Sequence, residues 1–118
     1  PIDSTSPTTH IRVAHSPDAD DASMFYGLAK NLVDTEGLTF EHVLSDIQTL
    51  NEEAKKGTYE LTAISYAAYP LIQDKYQLLV VGSSIGDKYG PVLVAKEAFT
   101  KAGLKGKKIA VPGYLTTA

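Results

Sequence analysis

The stretch His10-Ile-Arg-Val-Ala-His-Ser-Pro-Asp-Ala-Asp-Asp-Ala-Ser-Met-Phe-Tyr-Gly-Leu-Ala-Lys-Asn-Leu32 decides the fold. Its opening, His10 to Ala14, is a short β-branched and apolar run that reads as a strand. From about Asp20 to Asn31 the pattern changes: Phe25, Leu28, Ala29 and Leu32 fall at helical spacing on one face, with Ala22 leading in. Between the two lies His15-Ser-Pro-Asp-Ala-Asp-Asp21, a short loop that ends in acids at a helix start. One strand, one loop and one amphipathic helix are the unit from which α/β folds are built.

The unit recurs downstream. Further strand-like runs are Thr39 to Leu44, Leu61 to Ser65, Gln77 to Val81, Pro91 to Ala95 and Lys108 to Val111. A second helix is bracketed at both ends. Asp46 is a good N-cap, Ile47, Leu50 and Ala54 form the stripe to be buried, and Lys55-Lys56-Gly57 is a cationic last turn with a left-handed stop. A third helix, Tyr66 to about Asp74, is short and interrupted by Pro70, which fits only a first turn or a kink. Alternation of this kind predicts an α/β fold with a largely parallel sheet and crossover helices.

Length and composition bound the function. A chain of 118 residues with 43% hydrophobic content can bury one core, not two complete domains. The net charge of -3, with Arg12 the sole arginine, offers no basic surface for nucleic acid or an anionic membrane. Cysteine is absent, which removes thiolate chemistry and Cys-based metal sites. No apolar run approaches the roughly 20 residues of a membrane span. Residues 1–9 are Pro/Ser/Thr-rich and read as a flexible leader.

Four segments follow the predicted C-terminal ends of strands, where open parallel sheets place their ligands. In the first, Asp18 or Asp20 caps the helix and Asp21 complements its dipole, while Ser16 and the loop backbone offer ligand contacts. The acids lack the spacing of a calcium loop. In the second, Ile64-Ser-Tyr-Ala-Ala-Tyr-Pro70, Ser65 is placed to cap a helix and the N–H groups beside it suit an anion. No G-x-S-x-G elbow surrounds Ser65, which argues against a hydrolase nucleophile. The third, Gly86-Asp-Lys-Tyr-Gly-Pro91, joins glycines that admit close backbone approach to the ring and hydroxyl of Tyr89. The fourth, Val111-Pro-Gly-Tyr-Leu-Thr-Thr-Ala118, sets two hydroxyls where a helix should begin, an arrangement suited to a carboxylate or phosphate. His10 and His42 sit in strand patterns and read as structural or solvent-facing. His15 opens the first ligand-facing loop, with no carboxylate or cysteine at a recognisable catalytic spacing.

Taken together, His15-Ser-Pro-Asp-Ala-Asp-Asp-Ala-Ser-Met-Phe-Tyr26, Ser45-Asp-Ile-Gln-Thr-Leu-Asn51, Thr62-Ala-Ile-Ser65, Gly86-Asp-Lys-Tyr-Gly-Pro-Val-Leu-Val94 and Ala110-Val-Pro-Gly-Tyr-Leu-Thr-Thr-Ala118 resemble the menaquinone-biosynthesis branch of the type II periplasmic-binding-protein fold. That branch holds chorismate dehydratase and the naphthoate synthases of the futalosine pathway. The first segment is similar to the Ser-Pro-x-Pro-Asn-Asp loop of the naphthoate synthases, with Ser16, Pro17 and Asp21 matching and Ala19 and Asp20 departing.

The resemblance implies a two-lobed α/β protein, with residues 10–107 in the first lobe and 108–118 opening a second whose remainder lies outside this sequence. It implies a cleft with Ser65, Gly90-Pro91 and Thr116-Thr117 in its wall, the threonines gripping a substrate carboxylate. Ser16, Asp18, Tyr66 and Tyr89 complete the expected substrate-binding set. The catalytic histidine of the family belongs to the second lobe, so no catalytic residue is assigned here. The expected activity is lyase-like, of the 1,4-dihydroxy-6-naphthoate synthase type, in the cytoplasm, without metal or cofactor. Expected partners are a small-molecule carboxylate, with a homodimer allowed and neither nucleic acid nor membrane insertion involved. The rival reading is a solute-binding protein of an ABC-type uptake transporter for a small organic anion, periplasmic or extracellular after signal removal, using the same cleft without a base.

Overall fold

In the computed structural model, which describes residues 9–117, strand β1 (His10–His15) is the axis of the fold. It runs parallel to β2 (Thr39–Leu44) on one side and to the short β3 (Leu61–Thr62) on the other, giving the order β2-β1-β3. The register pairs His10 with Thr39, Val13 with His42 and His15 with Leu44, while Val13 and Ala14 face Leu61 and Thr62. Parallel neighbours need a crossover, and the two helices supply it. Helix α1 (Ala19–Ala29) links β1 to β2, and α2 (Ile47–Lys56) links β2 to β3.

Both helix starts are set by side chains. Asp18 accepts from the Asp21 N–H at 3.0 Å, and Asp46 accepts from the Thr49 N–H at 3.0 Å, each relieving one of the unpaired donors of a first turn. Gly57 ends α2 in the left-handed region at φ 70°, where a side chain would be strained. The core is small: Val13, Ala14, Leu50, Ala54, Ala68 and Ile72 are buried. Full burial of a side chain such as Leu50 contributes about 1.5–3 kcal/mol.

Beside β3 the ladder is extended by a side chain. The Glu60 carboxylate accepts from the Arg12 backbone N–H at 2.9 Å and from the Arg12 guanidinium at 3.0 and 2.6 Å. An unpaired strand donor is thereby satisfied where no strand residue reaches it.

Three expectations need correction. The third helix is a 3-10 helix, Tyr66–Leu71, rather than a helix reaching Asp74; Pro70 within it brings no N–H to continue an α-helical ladder. Strand β3 stops at Thr62, with only the Ala63 N–H to Ala14 carbonyl bond prolonging it. The runs 77–81, 91–95 and 108–111 are not strands. Val80, Val81, Val92, Val94, Ile109 and Val111 are exposed, because a strand requires a neighbour to bond and none lies alongside them among the described residues. The radius of gyration, 18.1 Å, accordingly exceeds the about 13 Å of a compact domain of 100 residues. The expected leader lies outside the described residues except for Thr9, whose carbonyl accepts from the Thr39 N–H.

Candidate functional site

Strands that run parallel all release their chain at the same edge of the sheet, so loops after β1, β2 and β3 meet there. The buried polar side chains gather at that edge: His15 and Ser16 after β1, Asp21 in the first turn of α1, and Asn51 on α2. Buried polar groups cost free energy unless paired, so their pairing defines the site.

The loop after β1 is self-bonded. The Ser16 N–H donates to the Asp21 carboxylate at 2.7 Å, and the Asp18 N–H donates to the Ser16 hydroxyl at 3.0 Å. The Ser16 hydroxyl and the Asp21 N–H hold the Asp18 carboxyl below its usual range. Burial pushes Asp21 up, against the lowering effect of the Ser16 N–H. Asp18 thus has a capping role, and Asp21 does more than complement a dipole. Asp20 accepts a hydrogen bond from the Ser84 hydroxyl at 2.9 Å, tying the glycine-rich segment to α1.

Sequence reasoning missed the association of His15 with His42. His15 Nδ1 lies 3.0 Å from the Ser16 carbonyl, and its Nε2 lies 2.9 Å from His42 Nδ1. A carbonyl only accepts, so His15 carries its proton on Nδ1; in the neutral pair His42 then donates from Nδ1 to His15 Nε2. This leaves a lone pair on His42 Nε2, which is buried without a partner. Phe25 of α1 stacks on His15, with ring centres 4.4 Å apart. Burial, then the neighbouring His15, lowers the pKa of His42. Beside the pair lies a cavity of about 300 Å³ lined by His15, Ser16, Pro17, Phe25, His42 and Leu44. The signal was latent in the strands: with Val13 opposite His42, positions 15 and 42 point to the same sheet face.

The second and fourth ligand-facing segments come together. Asn51, fully buried, accepts from the Ser65 N–H at 2.9 Å and donates to the Ser65 hydroxyl and to the Leu115 carbonyl, both at 3.1 Å. Gln48, almost one turn earlier on α2, accepts from the Leu115 N–H at 3.0 Å. Thr117 accepts from the Ala67 N–H at 3.2 Å, and Thr116 donates to the Gly113 carbonyl at 3.1 Å. Gly113, at φ 148°, lies so close to Gln48 that an added Cβ would sit 2.7 Å from the glutamine's own Cβ. Ser65 stands at the N-cap position of the 3-10 helix, but its side chain makes no capping bond, contrary to expectation, because it is turned to Asn51. The Ala67 N–H, expected to face an anion, is taken by Thr117.

Other expected residues stand apart. Tyr66 is exposed. The Tyr89 ring lies against Gly86 and is largely exposed, and no hydrogen bond among the described residues links Tyr89, Gly90 or Pro91 to Ser65 or Thr117. No group of three or more His, Asp or Glu side chains converges as metal ligands would among the described residues. Among the described residues no helix is long and apolar enough to cross a membrane. What the arrangement offers chemically is the hydroxyls of Ser65, Thr116 and Thr117 held on a buried amide support.

A family profile described as menaquinone biosynthesis matches residues 11–118. The chain is 39% identical over 108 residues to a protein of Thermus thermophilus named 1,4-dihydroxy-6-naphthoate synthase, covering 92% of this chain and 39% of that protein. A protein of the same name from Streptomyces coelicolor is 32% identical over 108 residues, covering 92% and 37% respectively. The chain therefore spans less than half the length of these curated relatives. A crystal structure of a protein from Archaeoglobus fulgidus superposes with a TM-score of 0.68 at 57% identity, covering 76% of this chain and 34% of that one. Neither curated relative is named as a transport protein, so the uptake reading gains no support from them.

Proposed function

The chain belongs to the menaquinone-biosynthesis family, and from that premise we propose that it forms the ligand-gripping part of a 1,4-dihydroxy-6-naphthoate synthase-like enzyme. In this reading the protein is two-lobed in the manner of type II periplasmic-binding proteins. Residues 10–107 build one lobe and the chain enters the other near Lys108. The substrate is a carboxylate-bearing product of the futalosine route, cyclic dehypoxanthine futalosine, cleaved in the cytoplasm without metal or cofactor. The carboxylate lies against Ser65 and Thr116-Thr117; Ser16, Asp18 and Tyr66 frame the approach, and Tyr89, Gly90 and Pro91 close over it. Exclusion of water strengthens these hydrogen bonds while a base from the second lobe takes a proton.

The observation that carries the reading is the junction at Asn51, where the loop after β3 and the segment ending in Thr117 share one buried amide. Two segments 50 residues apart, Ala67 and Thr117, are also bonded directly. The test is to incubate the full-length protein with cyclic dehypoxanthine futalosine and follow the naphthoate product by mass. Formation of 1,4-dihydroxy-6-naphthoate is the expected result, and none at stoichiometric enzyme would exclude the activity.

A further inference from the structure

We propose that Asn51 is the positioning residue of this site: it turns the Ser65 hydroxyl into a donor aimed at the ligand and fixes the Leu115–Thr117 segment beside it. The proposal rests on the reading just given, that a ligand carboxylate is held here.

The orientation of the Asn51 amide is set by backbone groups whose roles are unambiguous. The Ser65 N–H only donates, so the atom 2.9 Å from it is Oδ1. The Leu115 carbonyl only accepts, so the atom 3.1 Å from it is Nδ2. The second Nδ2 hydrogen is then the one that reaches Ser65 Oγ at 3.1 Å. Ser65 accepts there, and its own hydrogen has no acceptor among the described residues.

The same reasoning separates the two threonines. Thr117 Oγ1 accepts from the Ala67 N–H, and its hydrogen has no acceptor among the described residues. Thr116 Oγ1 has spent its hydrogen on the Gly113 carbonyl. Two of the three hydroxyls therefore present donors, and Thr116 presents lone pairs. Two hydroxyl donors suit a group that only accepts, an ionised carboxylate, over a carboxamide, which must also place its own hydrogens. Gln48 completes the support: with Asn51 it holds the N–H and the carbonyl of Leu115 from two positions on α2.

The test compares binding of 1,4-dihydroxy-6-naphthoate and its 6-carboxamide to the full-length protein by calorimetry. Wild type should favour the carboxylate at least tenfold. Asn51→Asp replaces the donating NH2 with an acceptor, so the Ser65 hydroxyl turns to donate inward and the preference should fall at least tenfold. The new negative charge would also disfavour the carboxylate, and Ser65→Ala separates the two effects. In the Ser65→Ala background Asn51→Asp should lower the preference by less than it does in wild type, with only the charge and the Leu115 contact left to act; a loss as large as in wild type would assign the effect to charge and overturn the proposal. Thr117→Val should lower the preference by as much as Ser65→Ala, and Thr116→Val by less than threefold. An unchanged preference in folded Asn51→Asp overturns the proposal while the carboxylate reading stands. Should that variant fail to fold, equal losses for Thr116→Val and Thr117→Val overturn it. Wild type that binds neither probe overturns the carboxylate reading itself, and the role of Asn51 with it.

Discussion

The rings of His15 and His42 meet edge to face, with Nε2 of the first 2.9 Å from Nδ1 of the second, and so join β1 to β2 through side chains as well as through the ladder. In the neutral form of the pair each ring holds its one proton on Nδ1. Protonation would have to place a charge at the buried His42 Nε2.

A pH dependence follows. The folded-state pKa of His42 is depressed below its ordinary 6.5, so the unfolded chain takes up a proton first as pH falls. The stability contributed by the neutral ring is complete above pH 6.5 and is lost as pH drops below it towards the depressed folded value. Urea unfolding at pH 7.5 and 5.5 should show this loss in wild type and less of it in His42→Gln. Equal losses would remove His42 from the transition.

A second, separate window belongs to Glu60. The Arg12 side chain, then the Arg12 backbone N–H, draws the Glu60 carboxyl from 4.5 down to about 2. Here the stabilisation is present above pH 4.5 and is lost as pH falls through the interval towards 2. Glu60→Gln should flatten the unfolding midpoint over that interval while leaving the step near neutrality in place. Because the pair is exposed, added salt should shrink the difference between the two proteins.

The close approach of Gly113 to Gln48 predicts that Gly113→Ala costs about 2 kcal/mol, from a positive φ and a collision that only movement of the segment relieves. Hydrogen exchange at the Leu115 amide, which donates to Gln48, should accelerate by at least tenfold. Unchanged protection there would mean that the segment accommodates a methyl group in place.

Asp46→Ala removes both the bond from the Thr49 N–H and the 2.6 Å bond from the Thr49 hydroxyl. A loss of about 1 kcal/mol in urea unfolding is expected for such a cap. Asp46→Asn should recover most of it, since an amide oxygen still accepts.

Helix α2 was legible in the sequence because Asp46 and Gly57 each carry their own end-stop chemistry, and both are observed in those roles. Strands β1 and β2 were legible as short β-branched and apolar runs, and β2 spans the expected Thr39 to Leu44. The later runs were not, because residues such as Leu79 and Val80 announce a preference for burial without saying what would bury them. At the site, the loop positions of Ser16 and Ser65 could be read from strand ends. The His15–His42 contact could not, because it depends on which residue of β2 stands beside Val13. Asn51 was seen within a recurring segment but given no role, since its partners lie 14 and 64 residues away.

Those separations bear on the order in which the molecule can assemble. Asn51 and Ser65 can meet as soon as α2 and β3 have formed, through a modest loop. The Leu115 half of the contact spans a separation more than four times as long, at a greater entropic cost. On the ribosome, synthesis must run past Leu115 before the amide of Asn51 has all its partners. The proposed binding surface is therefore a late product of folding, completed on a sheet and helix that are already in place.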